Sequence, residues 1–356
     1  MKLSPANSRQ LYFADSLESL IDGEKDGYCK APPTASYLTP EKSAKTNENY
    51  YVVNDGYIII EKNTCIITTS RDLYLQEIYP KSWPLAHILT EDGETINVQD
   101  LPVNDTFAND TVVFPFMLRD LNHLFHSTMD NYARLAYCDH VSLQNLLYLF
   151  PKQDSSTPAG KALKSIFMDD INYKEIAAGI KYKVGKLVVP PLGNRNEYFC
   201  SRATKYVNHT INQKLNINKA SHPTRLFISR ADTPIRNLIN EDEVIVALRQ
   251  FGFTNLCPGE YSFQTQCELY ANAEIVVAVH GNGLTPLVAS SRCRHLIEFE
   301  AFGWGGTAYS AIAGGLGINY MPIKCEVMQS DIQGMFHWLG KADVSQLVNI
   351  VSSILD

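Results

Sequence analysis

From residue 224 to the C-terminus, apolar and polar stretches alternate with a regular beat. Short apolar runs at 225–229, 253–257, 274–280, 295–300 and 319–323 are separated by amphipathic stretches at 241–252, 262–273, 284–291 and 308–316. Apolar runs of strand length predict buried strands, and the spaced pattern between them predicts helices. Strand and helix in strict turn imply βαβ units, a parallel sheet and right-handed crossovers. The expectation is a doubly wound α/β domain with its ligand at the C-terminal edge of the strands. A last amphipathic stretch at 343–354 follows the completed sheet, and is expected to cross back to the N-terminal half.

Upstream the pattern is less regular. Residues 1 to about 50 are polar and without a clear period, which reads as a loop or extended arm. Residues 50–90 are rich in Val, Ile and Tyr and read as short strands with a turn at Asn54-Asp55-Gly56, a small antiparallel subdomain. The stretch 114–149 is mostly helical in spacing; within it His126, Asp130 and Arg134 recur every fourth residue and share a helix face. A salt-bridged surface row would look the same. Further strands are expected at 145–150 and 186–191, and helices at 160–169, 174–180 and 201–215. The segment 216–223 reads as a hinge. The domains are therefore placed at 1–220 and 221–340, with the final helix at 341–356.

The stretch 273–300 carries the most chemistry. A buried strand runs into His280-Gly281-Asn282-Gly283, then a short helix, then a second buried strand bearing Glu298. A helix start offers backbone N–H groups and a positive dipole end to an anion. The glycines are expected to let the backbone approach that anion, and Glu298 is placed to accept hydrogen bonds from a ribose. A tight turn without a ligand would share the pattern. Asn240, with Glu243 three residues on, reads as the capped start of a helix, and Arg236 and Glu241 as part of the same cap.

Composition narrows the class. A length of 356 residues fits two domains, and 45% hydrophobic with 19% charged residues fits a globular protein. A net charge of −7 argues against nucleic acid as the main partner. No apolar run is long enough for a transmembrane helix, and the first residues lack the apolar core of a signal peptide. If Met1 is the native start, a cytoplasmic location is expected. Eight cysteines without a C-x-x-C pair are expected to be reduced thiols, not a zinc site or a disulfide framework. Three N-x-T sequons, at Asn104, Asn109 and Asn208, read as chance matches.

Three segments together resemble glycosyltransferase family 61. The first contains Asn122, His126, Asp130, Arg134 and Leu135, similar to the family's N-x-x-x-H-x-x-x-D-x-x-x-R-L. The second is RLFISRADTPIRNLINEDEV, through Arg225, Ser229, Arg230, Arg236, Asn240 and Glu241. The third is SFQTQCELYANAEIVVAVHGNGLTPLVASSRCRHLIEFE. The resemblance runs from about residue 112 to 322. Asn282 stands where the family has a small residue, Pro286 stands where it has asparagine, and the Asn122 to His126 spacing is one longer than is common.

The resemblance implies a GT-B-like α/β fold with two Rossmann-like domains facing a cleft and a small β-rich N-terminal segment. It implies an inverting hexosyl- or pentosyltransferase that uses a nucleotide sugar, UDP-linked, with no required cofactor and no metal. The implied acceptor is a glycan of surface polysaccharide or lipopolysaccharide biosynthesis. A lipid-linked acceptor would bring the enzyme to the inner face of a membrane.

In that setting Arg230 is expected to hold the diphosphate, since its fork matches phosphate oxygens. His280 is expected to donate to a phosphate or the sugar. Gly281, Asn282, Gly283 and Leu284 form the helix start against the donor, and Glu298 reads the ribose. His126 and Asp130 act as one unit to deprotonate the acceptor, with the roles within the pair open. Each has a plainer alternative: a satisfied core histidine at His280, an Arg230 pairing with Asp232 or Glu298, and a His126–Asp130 pair that only steadies its helix. A non-catalytic glycan- or nucleotide-binding module on the same fold is the alternative function. A dinucleotide-dependent oxidoreductase is disfavoured, because Arg230-Ala231-Asp232, not G-x-G-x-x-G, follows the strand at 225–229.

Overall fold

The computed structural model describes residues 2–5, 12–14, 50–61, 64–69, 73–74, 96–97, 101–113, 123–138, 146–152, 157–189, 201–217, 222–301, 308–330 and 338–356. The chain forms two compact units, 1–197 and 198–356.

The first unit is built on one ten-stranded mixed sheet. Its strands are β1 (Lys2–Pro5), β2 (Tyr12–Ala14), β3 (Tyr50–Glu61), β4 (Thr64–Thr69), β5 (Leu73–Tyr74), β6 (Ile96–Asn97), β7 (Val103–Val113), β8 (Leu146–Pro151), β9 (Tyr173–Ile176) and β10 (Ile180–Val189). The order is β6-β1-β5-β4-β3-β10-β7-β8-β9, with β2 beside β3. β10 pairs antiparallel to β3, and parallel to β7. β7, β8 and β9 continue in parallel. This is not the Rossmann-like domain expected here, since half the sheet is antiparallel. Nor do residues 50–74 form a separate subdomain: β3 and β4 lie in the middle of the sheet. Consecutive Ile58, Ile59 and Ile60 are all buried, so both faces are covered at β3. Asn54-Asp55-Gly56 is a kink inside β3, with Asp55 at φ 52°, and no turn between strands.

Residues 174–180, expected as helix, are instead β9, a turn through Gly179 at φ 75° and the start of β10. Long-range pairing of β9 with β8 outweighs the helical look of Glu-Ile-Ala-Ala. The helix at 160–169 is present as Pro158–Met168, with Thr157 accepting the Gly160 N–H as its cap.

The second unit follows the regular beat closely. β11 (Arg225–Ile228), β13 (Thr254–Leu256), β14 (Ile275–Val279), β15 (His295–Glu300) and β16 (Asn319–Lys324) form an all-parallel sheet of order β13-β11-β14-β15-β16. Alternate residues serve opposite faces. Phe227, Val277, Val279, Ile297 and Phe299 join a core with Val244, Leu248, Leu347 and Val351 from helices Glu241–Arg249 and Val344–Leu355. A three-stranded sheet that the apolar pattern did not reveal, β12 (Asn237–Leu238), β18 (Trp338–Lys341) and β17 (Glu326–Ser330), flanks this core. Helices Phe263–Asn272 and Tyr309–Leu316 each pack against the tight helix Asn282–Ala289.

Two boundaries differ from the sequence reading. The division at 197/198, not 220/221, puts helix Ser201–Lys214 in the second unit. Its Asn208 Nδ2 donates to the carbonyls of Val288 and Ser290, and Asn212 Nδ2 to that of Ala289. The last helix does not leave for the first unit: Leu347 and Val351 are fully buried in the core of the second. Asn240 anchors that end, its amide donating to the Ala342 carbonyl and accepting the Ala342 N–H. It therefore does not cap its own helix through its side chain, as its spacing suggests.

Among the described residues, no helix is long and apolar enough to cross a membrane. The six described cysteines are free thiols. No group of three or more His, Cys, Asp or Glu is placed to hold a metal ion among these residues.

Candidate active site

The parallel sheet reverses its winding between β11 and β14, because β13 lies on one side of β11 and all later strands lie on the other. Such a switch point leaves a crevice at the strand C-termini, the usual ligand place in open α/β sheets. The residues that follow β11 and β14 are Ser229-Arg230 and His280-Gly281. Topology alone therefore brings together two residues singled out from separate motifs.

Arg230 is 8% exposed. Its Nε donates to the Ile235 carbonyl at 3.2 Å, and its outer nitrogens lie beside Gly281. A Cβ on Gly281 would lie 1.8 Å from Nη1. Gly281 is thus a glycine to make room for the arginine. Gly283 is one to pack closely, since its Cβ would lie 3.0 Å from Pro258 and 3.3 Å from Ile228. Both glycines thus have a packing reason in addition to the approach to a ligand that the pattern suggested. Leu284 is fully buried and its N–H is bonded to the Gly281 carbonyl, so it is not placed to touch a donor. Asn282 starts the tight helix, with its Oδ1 buried and without a donor among the described residues.

Neither alternative partner is in ion-pair contact with Arg230 among the described residues, although Asp232 attracts it at longer range. Asp232 accepts the Gly259 N–H at 2.9 Å. Glu298 is fully buried; Oε1 lies 2.6 Å from His280 Nδ1, and Oε2 accepts the Tyr320 hydroxyl at 2.8 Å. Among the described residues no carboxylate forms an ion pair with Arg230. The same bonds correct the ribose role for Glu298: its oxygens are used behind His280, where they fix the imidazole with the proton on Nδ1.

Arg236, read from the sequence as part of a helix cap, belongs to this place instead. Burial is the main cause that brings the Arg230 pKa down to about 10, and repulsion from Arg236 is the second. Burial also lowers that of Arg236. Both remain cationic at neutral pH. Tyr309 lies within electrostatic reach of both and meets the His280 ring edge-on at 5.4 Å; burial raises its pKa. The signal for Arg236 in the sequence was only a second arginine six residues after the first.

In the first unit, His126 and Asp130 are joined directly, Nδ1 to Oδ2 at 2.7 Å. They lie on a wide π-type turn, His126–Asn131, that tightens into a 3₁₀ turn, Tyr132–Tyr137. Such bulged turns recur at functional sites. Asn131 Nδ2 donates to the His126 carbonyl at 3.2 Å, and the Thr128 hydroxyl to that of Leu124 at 2.8 Å, which stabilises the bulge. The His126 side chain is 23% exposed and that of Asp130 4%. His123 stacks obliquely on His126 with ring centroids 4.5 Å apart. Arg134, the next member of the row, is buried. Asn122 lies outside the described residues.

No curated protein matches this chain. Residues 121–297 match the family model described as Glycosyltransferase 61, a stretch that includes both the His126–Asp130 pair and the Arg230–His280 crevice. Through that stretch the chain belongs to glycosyltransferase family 61.

Proposed function

We propose that the protein is an inverting glycosyltransferase that moves a sugar from a nucleotide sugar, UDP-linked, to a glycan acceptor. Family 61 membership supports glycosyl transfer in general. The observation that carries the finer reading is Arg230, a buried guanidinium at the switch point that no carboxylate among the described residues meets in an ion pair. Such a charge calls for an anion from outside the chain. A nucleoside diphosphate is the leaving group of this reaction, and its growing negative charge is what a pre-set cation stabilises. His280, oriented by Glu298, adds a second group beside Arg230. The dipole of the short helix adds about 1 kcal/mol.

The acceptor hydroxyl must lose its proton in a single displacement. His126 is proposed as the base and Asp130 as the group that orients it: the imidazole is the more open of the two, and Nδ1 is already committed to the carboxylate. Nε2 then takes the proton, worth about 10²–10⁴-fold in rate. The donor sugar is a hexose or pentose, and the acceptor belongs to a surface polysaccharide or lipopolysaccharide, met in the cytoplasm or at the inner face of a membrane when it is lipid-linked. Incubation with a panel of UDP-sugars and glycan acceptors tests this. UDP release that depends on acceptor and disappears in Arg230→Ala supports the reading; no release with any pair removes it.

A further inference from the structure

The loop between β11 and β12 holds an arginine in a costly state. Arg236 has φ 59°, in the left-handed region that a residue with a long side chain rarely enters. Such a conformation is unfavourable and persists where neighbours over-determine it. Here the neighbours do. Asn237 is paired with Leu339 in the small sheet, and its Nδ2 donates to the Thr233 carbonyl at 2.8 Å. On the other side Ile235 is held by Arg230 Nε, and Thr233 N–H donates to the Arg230 carbonyl. Ser229 and Asp232 fix the first half of the loop through Ala231 N–H and Gly259 N–H. The backbone around Arg236 is therefore set by its own bonds.

The result is a second guanidinium brought close enough to the first for their charges to repel. Its Nε is buried and has no acceptor among the described residues, and no carboxylate there forms an ion pair with it. Two like charges held together inside the protein, on a strained backbone, oppose folding in the free state. An occupant with two linked anionic centres offsets all of this at once, each guanidinium taking one centre.

We propose that Arg236 is the second cation of the Arg230 site, and that the pair recognises two linked phosphates in preference to one. This rests on the reading of the site as the place of the donor's diphosphate. The pairing makes the site a discriminator: a nucleoside diphosphate engages both arginines, whereas a monophosphate engages one.

The test compares wild type with Arg236→Gly, Arg236→Asn and Arg230→Ala, using calorimetry with UDP, UMP, uridine, inorganic pyrophosphate and orthophosphate, and thermal unfolding without ligand. Glycine and asparagine both tolerate a left-handed backbone, so the two substitutions check each other for folding. UDP and pyrophosphate affinity should fall about 10–100-fold in both Arg236 variants, the value of one charge-assisted contact, with UMP within about threefold of wild type. The unfolding midpoint of the free variants should rise, because strain and repulsion are removed. Wild-type affinity for UDP in both Arg236 variants, alongside loss in Arg230→Ala, overturns the role of Arg236 and leaves the proposed function standing. Equal losses for UDP and UMP overturn the discrimination. Failure of wild type to bind any of these probes removes the proposed function and this inference together.

Discussion

The guanidinium of Arg230 occupies the space in which a side chain on Gly281 would begin, 1.8 Å from the position of its Cβ. The cation is thus positioned by an absence of atoms on the neighbouring strand's loop. Gly281→Ala should displace it. We expect a loss of stability of about 1–3 kcal/mol from overpacking, and UDP binding weakened in parallel with Arg230→Ala. Gly314, with nothing within 4 Å of its Cβ position inside helix Tyr309–Leu316, is the control. Gly314→Ala should stabilise by about 0.5–1 kcal/mol and leave binding unchanged. Urea unfolding and a UDP titration read both.

The His126–Asp130 pair separates chemistry from binding. His126→Ala should lower kcat by about 10²–10⁴ and leave UDP affinity near wild type. Asp130→Asn should fall between, since the imidazole stays but loses its orienting charge. Equal losses in kcat and UDP affinity would mean that the pair supports the fold and not the proton transfer.

Glu298 is fully buried and serves two donors, His280 and Tyr320. Tyr320→Phe removes one of them and should cost about 1–3 kcal/mol. Glu298→Ala removes the shared partner and should cost more, about 3–5 kcal/mol if the pair is ionised. Denaturant unfolding at neutral pH gives the order; a smaller loss for Glu298→Ala would show that the pair is neutral or dispensable.

His295, at the start of β15, titrates below its ordinary value of 6.5, from burial first and Arg294 second. Its Nδ1 is buried without a partner among the described residues. The unfolded chain therefore takes up this proton before the folded one as pH falls. Its contribution to stability should decline as pH drops below 6.5, level off below the folded pKa, and be constant above 6.5. His295→Phe should flatten that part of the stability profile. An unchanged profile in the variant would assign the acid sensitivity to other groups.

The second unit was largely legible because its periods are local: a five-residue apolar strand, then a helix, repeated. Helix Phe263–Asn272, strand β14 and strand β15 fall within two residues of their expected bounds. The first unit was legible only in part: β8, helix Pro158–Met168 and the end of β10 fall near their expected places, but β9 and the start of β10 owe their state to partners far along the chain, and Tyr-Lys-Glu-Ile-Ala-Ala reads as helix without them. Asn216 at φ 47° does break the chain after helix Ser201–Lys214, but a break in backbone direction is not a break in packing. At the site, Arg230 and His280 could be found by motif. Glu298 and Arg236 could not be given their places, since one depends on which face of β15 is covered and the other on a left-handed residue.

The Asn208 amide has one more consequence. Both of its protons are spent on the carbonyls that end helix Asn282–Ala289. Asn208 also heads an Asn-His-Thr sequon. Attaching an oligosaccharide would replace one of those protons and push a bulky group into the contact with Val288 and Ser290. Folding and N-glycosylation are thus mutually exclusive at this position: in a glycosylating compartment, a sugar there would mark chains that were reached before this helix docked.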